Sequence, residues 1–239
     1  MGLLALTAQA QDLTLRTVQQ AGALVKYDPA SPLKPGLCLD ILRAVERVDP
    51  GLRFTGLRNV VPLKRVERLL ADGEVDVFFC LLRSPDRERQ WRFLPVPLYG
   101  IRQVVVLRAD DPRPFDSLAD LARASLTRPV LVARGTILMR RLDAANVQIN
   151  EVNSEREALQ MLMMGRTDAV YGQDINLLRH IREAGLDGKL RLGRNSFGDE
   201  LHYVAVRSGL PAAQQERLTQ ALRKLERDGV LKQLADQYR

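Results

Sequence analysis

With 239 residues, 46% of them hydrophobic and 27% charged, the chain has the composition of a globular protein and the length for one large domain or two small lobes with separate cores. A net charge of +7 and a pI near 9.8 raise nucleic acid as a partner. The 36 basic residues, only six of them lysines, are interleaved with 29 acids rather than gathered into runs, so the charge reads as solvated faces and no nucleic-acid partner is expected.

The first eleven residues, MGLLALTAQAQ, carry an apolar stretch from Leu3 to Leu6 and an Ala8-Gln9-Ala10 cleavage pattern, without a positive region before them. They read as the remnant of a signal peptide, which makes the mature chain an exported one. No apolar run approaches the roughly 18 residues that a membrane span needs. Cys38 and Cys80 are too few to define a disulfide framework. An oxidising compartment would permit a bridge, but spacing does not reveal whether the two Cα atoms approach within ~7 Å, and two buried free thiols are expected. His180 and His202 are the only histidines, neither has a second histidine at metal-ligand spacing, and no metal site is expected.

Pro62, Leu63, Val66, Leu69 and Leu70 predict an amphipathic helix, closed by Gly73 at positive φ. Residues 75–82 form a largely apolar, partly β-branched run that predicts a strand buried on both faces, as parallel strands are. Ser84 and Pro85 are start signals for a helix directly after it. The carboxyl end of a buried parallel strand is where open α/β sheets place ligand crevices. Arg87 is therefore a candidate for bidentate contact with a ligand carboxylate; the alternative is an arginine on a solvated helix face.

Further along, residues 104–107 predict a strand and residues 116–121 a short capped helix. The strand over 129–133 turns through Arg134-Gly135-Thr136 into a helix over 137–145. Free N–H groups at that turn would make Gly135 and Thr136 an anion site. Ser154-Glu155-Arg156-Glu157 is a capping box, opening a helix whose methionines (Met161, Met163, Met164) read as core filler. A helix over 175–181, a strand over 203–206 and a helix over 211–226 follow. The segment from Leu70 to Phe78 recurs from Leu162 to Val170, bringing Gly73 onto Gly165 and Asp76 onto Asp168. Two copies of one helix–glycine–strand unit imply two similar lobes, with a ligand favoured in the cleft between them.

Ser84-Pro85-Asp86-Arg87, Phe93, Pro97 and Tyr99 fall in an order that resembles the type 3 extracellular solute-binding proteins, the periplasmic amino-acid-binding components of ABC importers. Gly36-Leu37-Cys38-Leu39-Asp40, the stretch from Leu70 to Asp76, and Asp228-Gly229-Val230-Leu231 with Tyr238 resemble the same family. The likeness runs from about Leu13 to Tyr238 and rests on the order of motifs that are each weak alone. It implies an α/β chain with the two-lobe, type II periplasmic binding protein fold. Lobe one would hold 12–101 and 202–239, lobe two 102–201, with residues 1–11 as the leader remnant. It further implies a periplasmic monomer without cofactor, which closes about a hinge on a small carboxylated, amino-acid-like molecule and delivers it to a membrane ABC permease.

By the same resemblance Arg87, Gly135 and Thr136 would contact a ligand carboxylate. Counting five residues on from Asp168 gives Gln173 and a one-residue shift gives Asp174, whose carboxylate is favoured to meet an α-ammonium group; the other role open to Asp174 is to cap the helix that follows. Tyr27 lies where relatives place an aromatic ring against the ligand. Serines that relatives use at the end of the lobe-one strand are here Cys80 and Leu82, a weak donor and none, so the usual α-amino acid clamp is incomplete. Two other classes of function are a periplasmic enzyme resembling cyclohexadienyl dehydratase and a ligand-sensing domain. No His, Cys or Glu pair announces a catalytic acid or base. A regulator would need a DNA-binding segment before Leu13, or a kinase a membrane span after Tyr238. The transport reading, without catalysis, is the expected one.

Overall fold

The computed structural model describes residues 12–134 and 138–239, apart from the side chains of Leu138 and Arg140. The chain divides into two compact units. One runs to Tyr99 and includes Leu201–Gln237, and the other is Gly100–Glu200 with Tyr238–Arg239. The expected leader remnant, 1–11, lies outside the described residues.

β1 (Leu13–Arg16), β2 (Gln19–Gln20), α1 (Leu37–Val48), β3 (Leu52–Thr55), β4 (Val60–Val61), α2 (Leu63–Ala71), β5 (Val77–Leu82), α3 (Pro85–Glu88) and β6 (Arg92–Phe93) run in order through the first unit. β1 pairs with β3 and β2 with β4, both in parallel. The helix before Gly73 forms where its spacing predicts, burying Val66, Leu69 and Leu70, and Gly73 takes φ 73°. All six residues of β5 are buried. The partner strand that the structure gives it is antiparallel, not parallel: His202 lies opposite Leu82 and Tyr203 opposite Leu81. The register then shifts, with Phe78 opposite Ala205, so β5 carries Phe79 and Cys80 against Val204 alone. Such bulges bend a strand and re-aim its side chains, and Cys80 takes the left-handed φ of 64° within this one.

α1 begins beside β5 because of one glycine. A Cβ on Gly36, at φ 113°, would lie 2.3 Å from the Lys26 carbonyl oxygen. Without it, the Leu37 and Cys38 amides reach the Val25 and Lys26 carbonyls at 2.8 and 3.0 Å. That approach brings Cys38 to within 6.0 Å of Cys80, Cα to Cα, and the two are joined by a disulfide. The expectation of two free thiols is thus overturned. The contact depends on a long-range approach that spacing does not carry.

The second unit contains β7 (Tyr99–Arg108) from its second residue onward, α4 (Leu118–Ser125), β8 (Val130–Ala133), α5 (Leu138–Ala144), β9 (Ile149–Val152), α6 (Glu155–Met163), β10 (Val170–Gln173), α7 (Asp174–Glu183) and β11 (Leu190–Leu192). β8 pairs in parallel with β9 and β10, while β7 pairs antiparallel with β10 and β11. Alternate residues of β7 supply two cores. Val104 and Val106 pack with Leu159, Leu162, Leu177 and Ile181 from α6 and α7. Val105 and Leu107 pack with Leu121 and Leu142 from α4 and α5. Each fully buried aliphatic side chain contributes about 1.5–3 kcal/mol, so covering both sheet faces dominates this unit's stability.

Two local expectations change. Ser154 accepts from the Glu157 amide at 3.1 Å, but the Glu157 carboxylate reaches back to the Asn153 amide rather than to Ser154. The reciprocal capping box forms instead at Ser117 and Asp120. Met161 packs against the core, whereas Met163 and Met164 are 37% and 66% exposed and fill no core. They face outward because α6 buries only the stripe through Ala158, Leu159 and Leu162.

β12 (Gly198–Val206) carries the chain back into the first unit, where α8 (Ala212–Arg227) and α9 (Val230–Gln237) pack against α1. Among the described residues no helix is long and apolar enough to cross a membrane.

Candidate functional site

Five residues of the first unit, contributed by five segments, meet at the carboxyl end of β5. Ser84 caps α3, accepting from the Arg87 amide at 3.4 Å, and this turn carries the Arg87 side chain back over the strand end. Its Nη1 donates to the Leu82 carbonyl at 2.8 Å. Its Nε and Nη2 both donate to one oxygen of Glu67, at 3.0 and 2.7 Å. The side chain is only 16% exposed, so the solvated-helix alternative does not describe Arg87. A guanidinium has five N–H donors, and these bonds use three.

Lys26 approaches from the turn before α1, and its Nζ donates to the Cys80 carbonyl at 3.1 Å. Burial of the amine, reinforced by the Arg87 guanidinium, lowers its pKa to about 7. From β12, His202 lies opposite Leu82 and is wholly buried. Its ring stacks on Tyr99, centroids 4.5 Å apart and planes 12° from parallel. Among the described residues neither ring nitrogen has a hydrogen-bond partner. Burial, then Lys26 and Arg87, hold its pKa well below the usual value for histidine, so the ring is neutral at neutral pH. Burial also pushes the Tyr99 hydroxyl above its ordinary range.

The remaining candidates stand apart from this picture. Cys80 is in the disulfide, so it has no thiol to offer a ligand; its carbonyl holds Lys26. Leu82 is buried and contributes its carbonyl to Arg87. Tyr27 is a core residue, 1% exposed, whose hydroxyl donates to the Phe79 carbonyl at 3.0 Å. Its ring lies 5.9 Å from that of Phe78, centroid to centroid, and its amide is bonded within the turn, to Ala23.

In the second unit, Gly135 and Thr136 lie outside the described residues. Asp174 is 2% exposed and is the first residue of α7 rather than its cap. One carboxylate oxygen accepts from the Arg102 and Ile175 amides at 3.1 and 2.9 Å, the other from Arg102 Nε at 3.4 Å. These bonds tie α7 to β7. Gln173, at the cap position, accepts from Asn176 at 3.4 Å.

Lys26, Glu67, Tyr99 and His202 were not candidates from sequence, apart from Tyr99 as part of the motif. Lys26 and His202 each had one signal, scarcity, being one of six lysines and one of two histidines. Glu67 had none, because its partner lies 20 positions away on another element. A shallow hollow along α9, lined by Gly229, Lys232, Gln233, Asp236 and Gln237, shares no residue with this cluster.

No family model and no curated protein sequence matches the chain. Solved structures do. The GluR0 ligand-binding core in complex with L-glutamate is 18% identical, with a TM-score of 0.76 over 95% of this chain and 98% of that one. The chain therefore has the two-lobe periplasmic binding protein fold. The same fold appears in a histidine kinase sensor domain similar to periplasmic binding proteins, at 22% identity and a TM-score of 0.74 over 94% and 95% of the two chains. It appears again in the substrate-binding protein of an amino acid ABC transporter, at 19% identity and 0.66 over 94% and 98%. At these identities the likeness speaks for architecture, and the periplasmic binding protein fold serves more than one role.

Proposed function

We propose that the chain is an exported, periplasmic solute-binding protein that captures a small carboxylated, amino-acid-like molecule and hands it to a membrane ABC permease. Arg87 carries the reading. It is a largely buried guanidinium at a strand's carboxyl end, fixed in orientation by Glu67 and the Leu82 carbonyl, with two N–H donors remaining for a ligand. Solved structures of this fold whose descriptions name L-glutamate and amino acid transport support the ligand class. The sequence motifs that resemble importer components support delivery to a permease.

A micromolar ligand binds with about −8 kcal/mol, and hydrogen bonds to charged groups contribute roughly 1.5–3 kcal/mol each. Arg87 could thus supply a large share of the affinity. A thermal-shift screen over amino acids, polyamines and small carboxylates should yield a carboxylated hit. Titrating that hit should show binding to Arg87→Ala weakened at least tenfold. Unchanged affinity in that variant, or a screen answered only by molecules without a carboxylate, would overturn the reading. A histidine kinase sensor domain has the same fold. Crosslinking in intact cells to an ABC permease, rather than to a kinase, separates transport from sensing.

A further inference from the structure

We propose that Lys26 and His202 form, beside Arg87, a second acid-binding subsite in the first unit, so that the ligand taken there is a dicarboxylate or an acidic amino acid. The inference rests on the binding function proposed above and narrows its ligand class. Three nitrogen-bearing side chains converge on the last residues of β5: Lys26 on the Cys80 carbonyl, Arg87 on the Leu82 carbonyl, and His202 opposite Leu82. The charges acting on Lys26 and His202 are cationic, Arg87 on both and Lys26 on the histidine. The one acid bonded into the group, Glu67, is held on the Nε edge of Arg87.

Donor counting gives the ligand its second acid. After the bonds described, Arg87 keeps two N–H donors, Lys26 as an ammonium keeps two, and the neutral His202 ring adds one. A single carboxylate offers about four lone-pair sites, fewer than these donors, and a bidentate arginine contact already engages both of its oxygens. The imidazole is the sharper observation. A wholly buried ring with both nitrogens unpartnered costs free energy, and a carboxylate delivered beside it would give the ring N–H an acceptor. Burial and Arg87 lower the Lys26 pKa to about 7. A second carboxylate arriving there would restore the full ammonium charge, drawing a proton from solvent.

Isothermal titration of the full chain with L-glutamate, succinate, L-glutamine and L-arginine tests this. The expected result is that L-glutamate or succinate binds at least tenfold tighter than L-glutamine. Lys26→Met should lower the ratio of L-glutamate to L-glutamine affinity at least tenfold. Repeating the wild-type titration at pH 7.5 in buffers of different ionisation enthalpy should reveal proton uptake. Lys26→Arg should keep the preference and lose the uptake, which also separates charge from any folding defect in Lys26→Met. If L-glutamine or L-arginine binds tighter than both diacids in an Arg87-dependent way, the inference falls and the proposed function stands. If none of the four binds, the inference falls, and the broad screen decides the function separately.

Discussion

Asp76 and Asp168 occupy the same place in the two copies of the repeated helix–glycine–strand unit, and their surroundings show what a repeat does and does not specify. Each is a carboxylate gripped by arginines: Asp76 by Arg16 and Arg207, Asp168 by Arg108, Arg113 and Arg128. Burial alone would raise both carboxyls, but the arginine hydrogen bonds outweigh it and hold both below the usual carboxylate range. The strand ends that follow have diverged. In the second unit the Tyr171 hydroxyl donates to Gln103 at 2.6 Å, Gln103 donates to Glu200 at 2.7 Å, and Asp174 is bonded to its own chain. In the first unit Lys26 and Arg87 keep spare donors and His202 is unpartnered. A shared local pattern builds the scaffold twice, and the residues beyond it decide what each copy presents at its strand end.

The largest expected break in the comparison is the disulfide, which the second unit lacks. Cys38 and Cys80 close a loop of 42 residues, for which the chain-entropy estimate is roughly 4 kcal/mol. Denaturant unfolding of Cys38→Ser/Cys80→Ser should lose stability of that order, and the loss should coincide with reduction of the wild type. Unfolding of the double variant that is indifferent to reductant but equal to oxidised wild type would show that the bridge contributes nothing.

Next come the paired aspartates. Removing hydrogen bonds to charged groups should cost about 2 kcal/mol in Asp76→Asn and about 1 kcal/mol in Asp168→Asn, whose carboxylate is more exposed. Chemical denaturation of the two variants measures the difference. The pH dependence has a definite sign. Both carboxyls sit below the unfolded value of 3.8, so the unfolded state binds more protons than the folded one as the pH drops. Their stabilisation is present in full above that value and is lost as the pH falls from about 5 toward the folded-state values. The Asn double variant should flatten that acid slope.

The smallest effect lies in the second unit. Glu155, at the start of α6, is raised to about 7 by burial. A Cβ on Gly172 would lie only 2.9 Å from its Oε1, which leaves little room for water there. An acid raised on folding binds its proton more tightly in the folded state, so stability falls as pH rises from 4.5 toward 7. Glu155→Gln should therefore stabilise the chain by roughly 1 kcal/mol at pH 8 and have little effect at pH 4. Thermal unfolding at the two pH values reads this, with His180, 3.6 Å away, as the group whose loss should not mimic it.

Local rules determined a good deal from the sequence alone. Apolar spacing and capping residues located the helices around Leu63–Ala71, Glu155–Met163 and Ala212–Arg227. Gly73 and Gly165 take the positive φ that a helix-ending glycine allows. Ser84-Pro85 placed Arg87 in a first turn after a buried strand, where it is found. Each of these depends on neighbours within a few residues. Tertiary structure decided what depends on approach across long separations. The antiparallel partner of β5, the Cys38–Cys80 bridge, the inward turn of Tyr27 and the internal ties of Asp174 are of that kind. So is the meeting of Lys26, Arg87 and His202, which lie up to 176 positions apart and are brought together by a bulge at Cys80 and the close approach that Gly36 permits. Side-chain identity fixes what a group can donate or accept, but only the folded chain decides which donors are left without a partner.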